Sequence, residues 1–195
     1  MTSVDASISI LNMKMEGLGM RKKFFSTFMA AVLLVAFTTV CQGEPLTPEL
    51  CKKKAQAAAN LIKAEGDTAL PKIKDSKGEF RFADGKGYVW IHNLDGEMVM
   101  HPIKPALDGK GLLDMRDVNG VYLFVAMNDL VEEKGEGWVP YAWPKPGEKN
   151  SSPKVSYVVL VKHGDMEYVA GSGMYDVTAS DIMKKFPGDA IYKDE

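Results

Sequence analysis

From Tyr88 to His101 the sequence YVWIHNLDGEMVMH is rich in aromatic, branched and other apolar types on both sides of Asp95-Gly96, a strong two-residue hairpin signal. Pairing Leu94 with Glu97 across that turn predicts His92 opposite Val99 and Trp90 opposite His101, so these side chains share one face. Val89, Ile91, Met98 and Met100 then take the other face, which is wholly apolar and suits packing against a helix. The first face mixes rings with two imidazoles and has the makings of a pocket lining. A half-buried, satisfied sheet face is the competing reading of Trp90, His92 and His101.

On the N-terminal side, Thr47-Pro48-Glu49 opens a helix, with Thr as N-cap, Pro in the first turn and an acid beside the helix dipole. Leu50, Lys54, Ala58, Leu61 and Ile62 fall near one stripe, and Gly66 ends it. A second short helix is expected over Asp67 to Lys74, with Pro71 counting against it. Glu79 to Phe82 reads as a short strand or extended arm, and Asp84 to Gly87 as a turn.

After the hairpin the chain is loop-like until Asp117-Val118-Asn119-Gly120, a turn leading into a helix from about Val121 to Lys134. Trp138 to Trp143 is a strand with Val139, Tyr141 and Trp143 on one face, and Pro140 argues for an edge or a bulge. Lys154 to Lys162 and Tyr168 to Tyr175 are the last strands, joined at His163-Gly164-Asp165, and a short helix closes the run from Thr178 to Phe186. The expected fold is α+β, a long N-terminal helix packed on a roughly five-stranded antiparallel sheet.

The chain has 195 residues, a hydrophobic fraction of 46% and a formal charge of −2, ordinary values for one domain with extensions. That balance lacks the basic stripe of a nucleic-acid binder, so no nucleic-acid partner is expected. Arg21-Lys22-Lys23 followed by an apolar run from Phe24 to Val40 has the form of a secretory signal peptide. Residues 1–19 are read as a gene-model extension, 20–43 as the signal peptide and 46–186 as one domain. Cleavage near Gly43 predicts a periplasmic or secreted protein, the alternatives being an uncleaved membrane anchor or lipidation of Cys41. Cys51 would then be a single buried thiol.

No catalytic, metal or cofactor constellation is found. Ala170-Gly171-Ser172-Gly173 lacks the spacing of a nucleophile elbow, the three histidines lack metal-ligand spacing, and Gly109-Lys110-Gly111 lacks the context of a phosphate loop.

The order and wording of Tyr88-Val-Trp90-Ile, Asn93-Leu-Asp95-Gly96, Met100-His101-Pro102, Asp117-Val-Asn119-Gly120, Gly135-Glu-Gly137-Trp138-Val, Tyr141-Ala-Trp143-Pro144-Lys145-Pro146-Gly147, Lys154-Val-Ser156-Tyr157 and Gly171-Ser-Gly173-Met-Tyr175 resemble the single Cache domain, an extracytoplasmic PAS-like sensor module. The resemblance covers roughly residues 48–185. It implies a small-molecule ligand, typically a small organic acid, held between the sheet and the helix and loops that cover it. In receptors such a domain feeds a membrane-attached signalling domain, so a separate membrane receptor or kinase partner is expected here.

Within that frame Lys154 would hold a carboxylate through a charge-assisted hydrogen bond. Tyr141 and Tyr157 would donate hydroxyls, Trp90 and Trp143 would form walls, His101 would donate or accept with pH, and Tyr122 would close the pocket. The reading from another class is a structural or partner-binding module, its aromatic face a filled core and its N-terminal helix a homodimer contact.

Overall fold

The computed structural model describes residues 44–193. The expected extension over 1–19, the signal peptide over 20–43 and Cys41 lie outside the described residues.

Helix α1, Pro48–Glu65, starts as the sequence predicts: the Leu50 amide donates to Thr47 Oγ1 at 3.2 Å and Pro48 sits in the first turn. Gly66, at φ 59°, ends it. Leu50, Cys51, Ala55, Ala58, Ala59 and Ile62 are its buried face, and the small side chains among them let α1 lie close against the sheet. The expected helix over Asp67–Lys74 is split into a 3-10 turn, Gly66–Ala69, and α2, Leu70–Lys74. Pro71 falls in the first turn of α2, where no backbone N–H is needed.

The sheet is antiparallel and has six strands: β1 Arg81–Phe82, β2 Gly87–Asn93, β3 Met98–Met100, β4 Glu136–Pro144, β5 Ser151–His163 and β6 Met166–Tyr175. Their order is β1-β2-β6-β5-β4, with β3 also on β2. The count exceeds the expected five because Arg81 and Phe82 pair with Tyr88 and Gly87.

The β2–β3 hairpin corrects the predicted register near its turn. The loop has three residues, Leu94-Asp95-Gly96, closed by an Asn93 amide bond to Glu97 O at 3.0 Å, so His92 faces Met98 instead of Val99. A bulge at Val99 then restores the expected frame, and Ile91 pairs with Met100. One extra residue reverses the faces between loop and bulge: Met98 packs with Trp90, and Val99 against the opposite cluster.

Helices α1 and α2 cover one face of the sheet through Val89, Ile91, Val161 and Ala170. Helix α3, Leu123–Lys134, covers the other through Leu123, Phe124, Met127 and Val131, which pack with Tyr88, Trp90, Val139 and Val158. It begins two residues later than expected, because Tyr122 is a non-helical N-cap and the Val121 amide is held by Asp117 Oδ1 at 3.0 Å. Asp117 therefore shapes the turn, and its Oδ2 also accepts the Ala142 amide at 2.7 Å on the outer edge of β4. Further along that edge the Trp138 amide donates to Ala190 O at 2.9 Å and the Tyr192 amide to Trp138 O at 2.8 Å. Helix α4, Ala179–Lys185, carries a capping box between Thr178 and Asp181.

Candidate functional site: a buried ammonium in an aromatic cage

Lys154 is the fourth residue of β5, in register with Tyr141 on β4 and Tyr175 on β6. All three side chains stand on the α3 face, as does Tyr88 of β2. Lys154 is only 2% exposed. Its Nζ donates to Tyr88 Oη at 2.9 Å and lies 4.7 Å from the Tyr88 ring, 5.0 Å from Trp90, 4.9 Å from Tyr175 and 5.7 Å from Tyr141. The electron-rich ring faces stabilise the cation in part. Burial nonetheless lowers its pKa to about 7; the Cys51 thiol opposes this and Lys104 adds to it. Among the described residues no carboxylate pairs with Lys154.

Further donors face the same ring cluster. Trp90 is buried, and its indole N–H has no acceptor. Gly171 of β6 makes room for that indole: a Cβ there would lie 2.2 Å from Trp90 Cζ2. His101 is stacked on Trp90, ring centroids 6.5 Å apart at 16°, and lies 5.3 Å from the Tyr88 ring. Its Nδ1 accepts from the amides of Ile103 and Lys104 at 3.2 and 3.0 Å. The neutral ring must then carry its proton on Nε2. Burial, helped by Lys154 and Lys104, lowers its pKa to about 3, so at neutral pH the ring is neutral with Nε2–H as its donor. Arg81, beside Tyr88 in the register and 5.9 Å from its ring, has a buried Nη1 without a partner. Lys104 Nζ sits 4.2 Å above the Trp143 ring.

The cage thus unites Trp90, His101, Tyr141 and Lys154 of the expected residues, with Trp143 next to Tyr141 at 6.4 Å between centroids. The Tyr141 hydroxyl is hydrogen-bonded to Ser156 Oγ at 3.0 Å. Tyr157 is not part of it. Lying three residues from Lys154, it projects from the opposite face of β5 and packs edge-on to Trp138 at 4.9 Å, under Lys52. Tyr122 is also outside: it is 38% exposed and is paired with Arg116, whose guanidinium donates to its hydroxyl and stacks on its ring. Tyr88, Tyr175 and Arg81 complete the cage without having been singled out in the sequence.

His92 stands on the same face but is committed to structure. Asn128 Nδ2 donates to Leu94 O at 2.9 Å, which leaves Asn128 Oδ1 as acceptor for His92 Nε2–H at 3.0 Å. Among the described residues no group of His, Cys, Asp and Glu could hold a metal ion, and no helix is long and apolar enough to cross a membrane.

A long N-terminal helix on one face of an antiparallel sheet, with a charged aromatic cage on the other, is the architecture of a PAS-like sensor module. The chain belongs to the Cache domain family, which it matches over residues 52–191. A solved Cache chemosensory domain whose structure concerns carboxylic acid recognition is 32% identical, with a TM-score of 0.57 covering 66% of this chain and 92% of that one. The periplasmic sensor domain of a chemotaxis protein is 33% identical, with a TM-score of 0.52 over 66% of this chain and 90% of that one. The methyl-accepting chemotaxis protein McpP of Pseudomonas putida is 37% identical over 103 residues, 53% of this chain and 18% of McpP, so the chain spans less than a fifth of that relative's length. Domains of this family are extracytoplasmic sensor modules of chemoreceptors that bind small ligands.

Proposed function

We propose that residues 46–186 form an extracytoplasmic sensor domain for a short carboxylate, exported by the segment over 20–43 and acting with a separate membrane signalling partner. The observation that carries this reading is the Lys154 ammonium, 2% exposed, ringed by aromatic walls and lacking a carboxylate partner among the described residues. Several donors around the ammonium have unused capacity: two Lys154 N–H bonds, the Trp90 indole, Arg81 Nη1 and His101 Nε2–H. A small anion supplies acceptors and charge at once, whereas the ammonium of an amino acid would meet another cation. The likeness to a domain that recognises carboxylic acids supports the same class.

Calorimetric titration of the full chain with acetate and propionate, and with glycine and alanine as ammonium-bearing controls, tests this. Binding of the simple carboxylates alone, lost in Lys154→Met, is the expected result; no carboxylate binding by the folded wild type sinks it. One observation favours a second reading, a partner-binding module with a filled core that dimerises through α1: Trp90 and Lys154 are already 3% and 2% exposed, so the cage is closed. Concentration-dependent dimerisation without carboxylate binding would select it.

A further inference from the structure

Lys154, Tyr88, Tyr175 and Pro144 form a chain of three hydrogen bonds whose direction is fixed at both ends. Lys154 Nζ lies 2.9 Å from Tyr88 Oη, Tyr88 Oη lies 3.2 Å from Tyr175 Oη, and Tyr175 Oη lies 3.0 Å from the Pro144 carbonyl oxygen. An ammonium only donates and a carbonyl only accepts, while each phenol has one proton to give. Tyr175 therefore donates to Pro144, Tyr88 donates to Tyr175, and Tyr88 accepts from Lys154. No other arrangement satisfies all three bonds.

We propose that Tyr175 is the positioning residue of the Lys154 site: by committing its own proton to Pro144 it draws the Tyr88 proton away from the ammonium and holds the Tyr88 oxygen as a fixed acceptor. One Lys154 N–H is then anchored, which leaves the other two for an acceptor taken up by the site. The proposal rests on the carboxylate reading only for what that acceptor is. Tyr175 is suited to this place because it is also a wall: its ring faces the ammonium at 4.9 Å on one side and lines an open surface cleft of about 390 Å³ with Asp84, Lys86, Lys145 and Asp176 on the other. Two residues of that cleft, Asp84 and Asp176, have positive φ, at 54° and 59°.

Without the Tyr175 hydroxyl, the Tyr88 proton is no longer called away from the ammonium. The phenol then rotates, the dipole that stabilised the charge is lost, and the ammonium becomes harder to keep. The other groups that bear on Lys154 are unaltered by this change: Tyr141 on β4, His101 and Lys104 after β3, Cys51 on α1, and Arg81 across Tyr88.

The test is Tyr175→Phe, which keeps the ring and removes one oxygen, with Tyr168→Phe as a control that deletes a phenol bonded to Asp67 on the far side of the sheet. In the full chain labelled at lysine Cε, the Lys154 carbon resonance is followed against pH, and propionate affinity is measured calorimetrically. Expected are a Lys154 midpoint shifted downward in Tyr175→Phe and unchanged in Tyr168→Phe, with propionate bound about tenfold more weakly at pH 7 by the former. An unmoved midpoint in a folded Tyr175→Phe protein overturns the assignment. If the wild type binds no propionate, the carboxylate reading has failed, and the midpoint alone still decides the role of Tyr175.

Discussion

Gly171 lies under the indole of Trp90, so close that a Cβ at position 171 would stand 2.2 Å from Cζ2 and 2.5 Å from Cε2. The two residues face each other across the β2–β6 pairing, and the missing side chain of one is the space occupied by the other.

Gly171→Ala should therefore displace Trp90 from the cage. The expected cost is about 1–3 kcal/mol of stability, the usual penalty of overfilling a packed site. Thermal unfolding measures the loss, and carboxylate titration should show the larger effect. An alanine variant with the wild-type melting point and affinity would mean that the indole has room elsewhere.

The buried ammonium makes stability depend on pH in a defined direction. Lys154 has a pKa of about 7 in the fold against 10.5 in the unfolded chain, so between those values the unfolded state binds more protons and stability rises with pH. Above pH 9 Cys51, pushed up to about 12 from 9.0 by burial, works the other way. The clean window is pH 7 to 9. Wild-type protein should gain stability across it in denaturant titrations, and Lys154→Met should lose that slope; a slope kept in the methionine variant assigns it to another group.

Ligand affinity should run opposite to stability over the same window. A carboxylate binds the charged form, so affinity is full below the Lys154 pKa of about 7 and falls by up to about tenfold per pH unit above it. Calorimetry in buffers of different ionisation enthalpy should show proton uptake on binding at pH 8 and little at pH 6. Uptake that is equal at both would separate the ligand from Lys154.

On the acid side the two buried imidazoles act together. His92 and His101 are held at about 4 and about 3 by burial, against 6.5 unfolded, so each is neutral in the fold where the unfolded chain takes a proton. Stability present above pH 6.5 is lost as the pH falls toward 3. A non-titrating His92→Gln variant should lose less of its stability on going from pH 7 to 4 than the wild type does.

Asn128 ties α3 to the hairpin through His92 and the Leu94 carbonyl. Asn128→Ala leaves the buried His92 and the partly buried Leu94 carbonyl without it, which should cost about 1–3 kcal/mol. Equilibrium unfolding gives the value directly.

Much of this was legible in the chain because local chemistry sets it. Thr47-Pro48 caps its helix as read, Thr178 proves to be the N-cap of the last helix and not its first residue, Pro140 lies in an edge strand, and Val139, Tyr141 and Trp143 share a face. The site was only half legible, and the missing half was present as arithmetic. The two-residue turn Gly164-Asp165 pairs His163 with Met166, and counting back along both strands places Tyr175 opposite Lys154. Strand parity alone sends Tyr157 to the other face. Parity also puts Tyr88 beside Trp90. The Val99 bulge was not readable in this way, because a single extra residue leaves the alternation looking regular while reversing its sense. Arg81 carried no signal beyond its place in a short arm.

The first turn of α1 and the segment that flanks β4 share one fastening. Lys52 bonds Asp189 at 2.7 Å, Asp189 accepts the Trp138 indole at 2.9 Å, and Lys185 reaches back to Glu49 at 2.7 Å. Trp138 is itself on β4, the strand that carries Tyr141 into the cage. The helix that opens the domain and the segment that closes it are thus pinned to each other and to the strand that carries Tyr141, so two distant pieces of chain share one anchorage beside the site.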